Sequence, residues 1–315
     1  VSSSAASDVY KRQVETSVPV ELGPGTTCTL ENSGHILGAR SVHMTVPGSP
    51  HPRSLVFSGD LGRPSHPLLR APTPIGDADV LVVESTYGDR RHRDTAEEMD
   101  RLARIINETA ADGGTVVIPA FAVDRTEVVL HALDDLERRG SIPRLPIFVD
   151  SPMALAVLGV YRRAAAAGAK ELRTSLQGSP LFERGRINEC HSTAESKALA
   201  DLTYPSIIIS ASGMATGGRV LHHLARLLPD RRNTVVLTGF QADGTRGWRL
   251  QQGERAVKIF GQYVPVRAGI EVLDGFSVHA DSDELMDWLR TSRRTPDACY
   301  VCLLYTSPSP RDRYI

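Results

Sequence analysis

Cysteine is scarce, with four residues in 315: Cys28, Cys190, Cys299 and Cys302. They are too few and too scattered for a disulfide framework, and the Cys299/Cys302 pair has no second pair to complete a zinc knuckle. All four read as ordinary thiols. No apolar run approaches the roughly 20 residues that cross a bilayer, and the N-terminus lacks the charged-then-apolar pattern of a secretory signal. No membrane partner is implied, and the cytoplasm is the expected location. Charge of one sign is missing too. Lys and Arg number 36 against 37 Asp and Glu, a formal net charge of −1, so bulk charge does not hold the chain on nucleic acid and any such role rests on a local site. Apolar material is plentiful at 41%, enough for a large single domain or two ordinary ones.

The two ends stand apart. VSSSAASDVYKRQ (1–13) has no initiator Met and no apolar periodicity, and CLLYTSPSPRDRYI (302–315) turns the apolar run Ala298-Cys299-Tyr300-Val301 into Ser-Pro repeats and charge. Both resemble translated adaptor read-through. They are expected to be non-native tails on a protein cut at both ends.

From 14 to 93 the signal is β: SVHMTV alternates, SLVFSGD follows, and DADVLVVEST is a buried strand ending in an acid, Glu84. From 94 the period becomes helical. Asp94-Thr95-Ala96-Glu97 starts a helix that turns Met99, Leu102 and Ile106 inward and stops at Gly113-Gly114. Strands and helices then alternate: TVVIPA before a helix that Asp124 and Glu127 would cap, IFVDS before MALAVLGVYRRAAAA, SIIISASG before GGRVLHHLARLL, and TVVLTGF. That alternation predicts a parallel sheet with helices on its faces. After 246 the chain returns to β in AVKIFG and VPVRAGIEVLDGF, then to the helix DSDELMDWLRTS. The expected organisation is a discontinuous α/β core, 14–93 with 246–301, and an inserted α/β domain over 94–245.

Four segments place one polar side chain at a strand end or on a glycine-bracketed turn: SGHILG with His35, SGDLGR with Asp60, ESTYG with Glu84 and GFSVHAD with His279. In SGDLGR, Gly59 and Gly62 permit tight or left-handed backbone on either side, so Asp60 can point beyond the sheet edge. Singly, a histidine is more often structural than a ligand, and an aspartate before glycine is more often a turn. Together they suit a zinc site: His and Asp are zinc donors, an aspartate can bridge two ions, and a bridged pair activates water and clamps a phosphate. Glu84 and His279 are then the acid/base or orienting pair, with the carboxylate fixing the imidazole tautomer.

SGHILGA, FSGDLGR, ESTYGDRRH, PAFAVDRTE, DSPMA, SASGMATGGRVLHHL, GFQADGTRG and GFSVHAD, in this order, resemble the β-CASP branch of the metallo-β-lactamase fold. The nearer likeness is to bacterial and archaeal RNA-processing nucleases related to the mRNA 3′-end cleavage nuclease. The resemblance covers 20–301. It implies a four-layer αββα core with two zinc ions at its sheet edges and a β-CASP domain closing over the site to hold RNA. It further implies His35 as a zinc ligand, Asp60 as the carboxylate bridging both metals, Glu84 as the acid that opens the β-CASP region, and His279 as the group that protonates the leaving oxygen or steadies the phosphate. Zinc-bound hydroxide would attack phosphorus in line.

The family's His-x-His-x-Asp-His segment is absent from this sequence, as is a Val-His-Gly-Glu-like strand after ELMDWL. Two protein ligands do not hold a dinuclear site, so the chain as written is expected to bind zinc weakly and hydrolyse little, the enzyme being the intact parent. The segment IIISASGMATGGR (207–219) forms a strand, a glycine turn and a helix start, an anion cradle without the Gly-Lys-Ser/Thr ending of a nucleotide loop. The plain reading is a turn needed for packing. The resemblance favours phosphate contact by Ser212, Gly213, Thr216, Gly217, Gly218 and Arg219, with Arg125 and Arg246 facing the RNA. His222 and His223 read as one solvated and one packed, and Arg91 and Arg93 as a solvated loop.

The leading expectation is a zinc-dependent ribonuclease, endo- or 5′-exonucleolytic, on single-stranded RNA. Against it stands a catalytically silent β-CASP protein that binds RNA or scaffolds a partner. A small-molecule hydrolase is disfavoured, since it needs no inserted clamp. DNA shares the phosphodiester chemistry and stays open. A homodimer is the common state to expect.

Overall fold

A computed structural model describes residues 13–178, 182 and 187–302. Apart from Gln13 and Cys302, the two expected non-native tails lie outside the described residues. The chain divides into two compact units, one running to Arg91 and resuming at His279, the other spanning His92–Val278.

The first unit is built on a six-stranded sheet. Strands β1 (Val20–Gly23), β2 (Thr26–Asn32), β3 (Arg40–Val46) and β4 (Arg53–Phe57) form an antiparallel meander. Strand β5 (Val80–Glu84) lies parallel to β4, and the last strand of the chain, β14 (Ala298–Cys302), lies parallel to β5 on its other side. An interior strand between parallel neighbours explains the unbroken Val80-Leu81-Val82-Val83 run, where an edge strand would alternate. One helix, α7 (Ser282–Leu289), covers the sheet. Asp281 and Glu284 cap it reciprocally, and Leu285 and Trp288, three apart on one face, pack with Val56, Leu81 and Val83. Burying two such side chains contributes roughly 1.5–3 kcal/mol each. Of the four αββα layers expected, the described residues of this unit supply one sheet and one helix.

The second unit carries the expected parallel sheet. Strands β6 (Thr115–Ala120), β7 (Ile147–Val149), β8 (Ile187–Glu189), β9 (Ser206–Ala211), β10 (Thr234–Leu237) and β13 (Gly269–Val272) stand in the order β13-β10-β6-β9-β7-β8, every pair parallel. Helices α1 (Thr95–Ala111), α2 (Arg125–Arg138), α3 (Pro152–Ala166), α4 (Thr193–Ala198), α5 (Val220–Leu227) and α6 (Arg246–Gln251) connect them, and β11 (Ala256–Ile259) with β12 (Gln262–Pro265) forms a separate hairpin. All six residues of β6 are buried, as a strand covered on both faces must be. No helix among the described residues is long and apolar enough to cross a membrane.

Two sequence expectations are corrected here. The return to the first unit comes at 279, not 246, because β13 pairs with β10 over four residues, Thr234↔Gly269 to Leu237↔Val272, and so completes the second sheet. Asp94 caps α1 as expected, accepting from the amides of Ala96 and Glu97. Asp124 does not cap α2: its backbone is left-handed at φ 66°, and its carboxylate accepts the Tyr161 hydroxyl instead. Glu127 lies in the first turn of α2, as expected, and is fully buried.

Candidate active site

Strand direction decides where the polar residues gather. In the first unit β2, β4, β5 and β14 all run the same way, with β3 reversed between β2 and β4. Their C-terminal ends therefore share one sheet edge. His35 follows β2 by three residues, Asp60 follows β4 by three, and Glu84 is the last residue of β5. His279 enters at the same edge through a bridge to Gly62, and the amide of Ala280 donates to the carbonyl of Leu61. Glu84 and Cys302 are register partners.

The turn that carries Asp60 is held tightly. Gly59 is left-handed at φ 57°, and a Cβ on Gly62 would overlap the carbonyl oxygen of Gly34, so no larger residue fits there. The amide of Gly62 donates to Ser33, and that of Leu61 donates to the Glu84 carboxylate. Arg63, not singled out in the sequence, donates from Nε to both oxygens of Glu284 at 3.1 and 3.2 Å, which ties the turn to α7. Its signal is present in FSGDLGR, but its partner lies 221 residues away.

Glu84 is buried and does two things. It accepts the amides of Leu61 and Thr86, and both of its oxygens lie 3.4 Å from His279 Nδ1. Burial pushes its pKa up, but the His279 hydrogen bond and charge, with Thr86 and the Leu61 amide, outweigh that and hold the carboxyl below its usual range. An ionised Glu84 therefore fixes the imidazole orientation. The His35 and His279 rings lie 4.2 Å apart at 45°, and the Tyr87 ring is 6.0 Å from His279.

Asp60 is the member turned outward. Its side chain is 47% exposed, its carboxylate meets no protein hydrogen-bond donor among the described residues, and His35 Nε2 lies 3.9 Å from Oδ2. Asp60, Glu84 and His279 each bring one ligand atom within 4.8 Å of the others. Carboxylate and imidazole converging with one carboxylate uncommitted fit a divalent ion of the zinc type. Glu84 is already committed to two amides and an imidazole. The converging atoms of Asp60, Glu84 and His279, with His35 beside Asp60, fit one ion and fall short of the donors two ions need.

In the second unit the cradle residues lie where expected, between β9 and α5, and the half-buried Arg219 and Arg246 bond to the protein itself. Ser212 Oγ and Thr216 Oγ1 are 2.9 Å apart and bond to each other within the loop, with Gly213, Gly217 and Gly218 around them. Arg219 donates to Asp150 Oδ1 at 2.7 Å and to the carbonyls of Cys190 and His191. Arg246 donates to the carbonyls of Ala215 and Lys258. Arg125 is buried, its guanidinium against Gly239. Arg219 and Arg246 are thus engaged by acceptors of the protein itself and Arg125 is buried, so contact of the three with RNA stays a proposal. His223 is buried and His222 exposed, as read from sequence. Arg91 and Arg93 are exposed, pairing with Asp283 and Glu98.

The residue missed here is Asp150, fully buried after β7. It bonds Arg219, His223 Nε2 at 2.7 Å and Ser196 at 2.6 Å. The pattern of an apolar strand ending in an acid, used to find Glu84, applies equally to IFVD. Burial raises the Asp150 carboxyl, yet His223, Ser196 and Arg219 together hold it below its usual range. Asp150→Ala leaves a half-buried Arg219 and a buried His223 without their carboxylate partner. It is expected to destabilise the protein by about 3–5 kcal/mol, read as a lower urea midpoint at unchanged slope, with Asp150→Asn recovering part of the loss.

Comparison with known proteins places this geometry. Residues 126–250 match the Beta-Casp domain family. Residues 263–302, which include His279, α7 and β14, match the Zn-dependent metallo-hydrolase RNA specificity domain family. Ribonuclease TTHA0252 of Thermus thermophilus is 40% identical over 263 residues, covering 83% of this chain and 60% of that protein. The transcription termination factor FttA of Pyrococcus abyssi is 32% identical over 291 residues, covering 88% and 44%. An RNase J-like protein of Methanocaldococcus jannaschii is 33% identical over 266 residues, covering 82% and 59%. The chain therefore spans about half the length of the curated relatives it matches. With the family segments in both units and the strand-end site in the first, the chain belongs to the β-CASP branch of the metallo-β-lactamase fold.

Proposed function

We propose that the protein is a metal-dependent phosphodiester hydrolase acting on single-stranded RNA, endo- or 5′-exonucleolytic, with two zinc ions in the complete site. The observation that carries this reading is the gathering of His35, Asp60, Glu84 and His279 at one sheet edge in a chain similar to proteins named ribonucleases. Asp60 and His35 would hold metal, which supplies Lewis-acid stabilisation of the phosphoryl oxygens and an activated water. Glu84 fixes the Asp60 turn through the Leu61 amide and orients His279 through Nδ1. His279 then offers Nε2 to the substrate and hands a proton to the oxygen that leaves phosphorus as the new P–O bond forms. The chain by itself brings too few donors for two ions, so weak metal binding and little cleavage are its expected properties in isolation. The cytoplasm fits this role.

The test is cleavage of an end-labelled single-stranded RNA by the full-length gene product, with metal content measured in parallel. Chelation is expected to remove metal and cleavage together, and zinc to restore both. Absence of cleavage by metal-loaded protein would leave a silent RNA-binding or scaffolding role in its place, and equal cleavage of DNA would remove the RNA assignment.

A further inference from the structure

The hairpin of β11 and β12 carries an unexplained feature at its tip. Ile259 and Gln262 pair across a two-residue turn whose central residues, Phe260 and Gly261, both have positive φ, 49° and 81°. That turn geometry favours Asn-Gly or Gly-Gly, and a bulky aromatic in its first place costs backbone energy. The strained phenylalanine is also 59% exposed, so core burial does not compensate the cost. Its ring instead packs on His222 of α5, centroids 4.6 Å apart and 35° tilted.

Phe260 forms one wall of a pocket of about 450 Å³ lined also by Thr216, Arg246, Arg249 and Lys258, a volume in the range of small-ligand sites. Three cations converge there, and none of them pairs with a carboxylate among the described residues. Burial and then the Arg249 charge push the Arg246 guanidinium below its usual pKa, as expected of like charges held together. Uncompensated cations beside an exposed aromatic ring match the two halves of a nucleotide: the guanidinium and ammonium groups suit a phosphate, and the ring suits the face of a base.

We infer that this pocket is a nucleotide subsite, taking one nucleotide of a single-stranded RNA with its base on Phe260 and its phosphate on Arg249 and Lys258. It rests on the RNA reading above in assigning the nucleotide to a strand. A strained Phe260 is kept because its ring is used.

Fluorescence anisotropy of the chain with a labelled 12-nucleotide oligouridylate, at several salt concentrations, tests the assignment, with uridine monophosphate titrated separately. Phe260→Asn gives the turn a residue it prefers. It is expected to leave thermal stability unchanged or raised while weakening RNA binding by roughly five- to a hundredfold. Arg249→Ala with Lys258→Ala is expected to lower the salt dependence by about one phosphate contact. Wild-type binding that both variants keep would overturn the subsite and leave the RNA reading standing. Binding of uridine monophosphate without the oligonucleotide would overturn the assignment to a strand, and binding of neither would overturn the subsite together with an RNA role for this chain.

Discussion

His279→Ala in the full-length gene product is expected to lower RNA cleavage by roughly 10²- to 10⁴-fold, the range a positioned general acid contributes, while metal content stays at the wild-type level. Asp60→Ala is expected to lower both. The distinction follows from where the two side chains stand. Asp60 is turned outward with an uncommitted carboxylate, free to take an ion, whereas His279 is anchored through Nδ1 to a buried, ionised Glu84. Glu84→Gln should fall between them. It retains a polar side chain for the Leu61 amide but loses the charge that orients the imidazole, and an orienting partner of this kind typically costs 10- to 100-fold. Elemental analysis alongside single-turnover cleavage separates the three. Loss of metal in His279→Ala would make that histidine a ligand and move the proton-donor role elsewhere.

How much of this was legible in sequence depended on how local the cause was. His35, Asp60 and Glu84 were readable because an apolar run ending in a polar residue beside glycine is a local pattern, and parallel strands then bring such ends to one edge. The fate of an arginine is not local. Arg219 and Arg246 sit in motifs that suggest phosphate, yet a guanidinium with five donors goes to whichever acceptors the tertiary fold presents, here Asp150 and loop carbonyls. Asp150 obeyed the same strand-end rule as Glu84 and does structural work, which shows that the rule finds constrained acids and not specifically catalytic ones. The unit boundary was misplaced because β13 looks like any short apolar run, and its partner, β10, is more than 30 residues away. The β11–β12 turn carries none of the Asn-Gly signals that mark a two-residue hairpin, so Phe260 could not be placed from sequence.

Glu127 gives the second large effect, and it runs against the usual pH dependence of a carboxylate. It lies on α2, fully buried, and its oxygens reach no hydrogen-bond partner of good geometry among the described residues. Burial first, and the nearby Asp124 carboxylate second, push its pKa up to about 8, with the amides of Glu127 and Asp124 opposing in part. Between the unfolded value of 4.5 and the folded value of about 8, the folded protein keeps a proton that the unfolded chain has released. The native state therefore binds more protons than the unfolded state in that window, and stability falls as pH rises through it. Across the whole window the loss is on the order of 5 kcal/mol, since each pH unit between the two values removes about 1.4 kcal/mol. Glu127→Gln keeps the neutral shape and removes the titration. Its stability is expected to match wild type near pH 4.5 and to exceed it progressively toward about pH 8, by urea denaturation at each pH. Parallel profiles for the two proteins would mean that Glu127 is ionised in the fold and finds its counter-charge there.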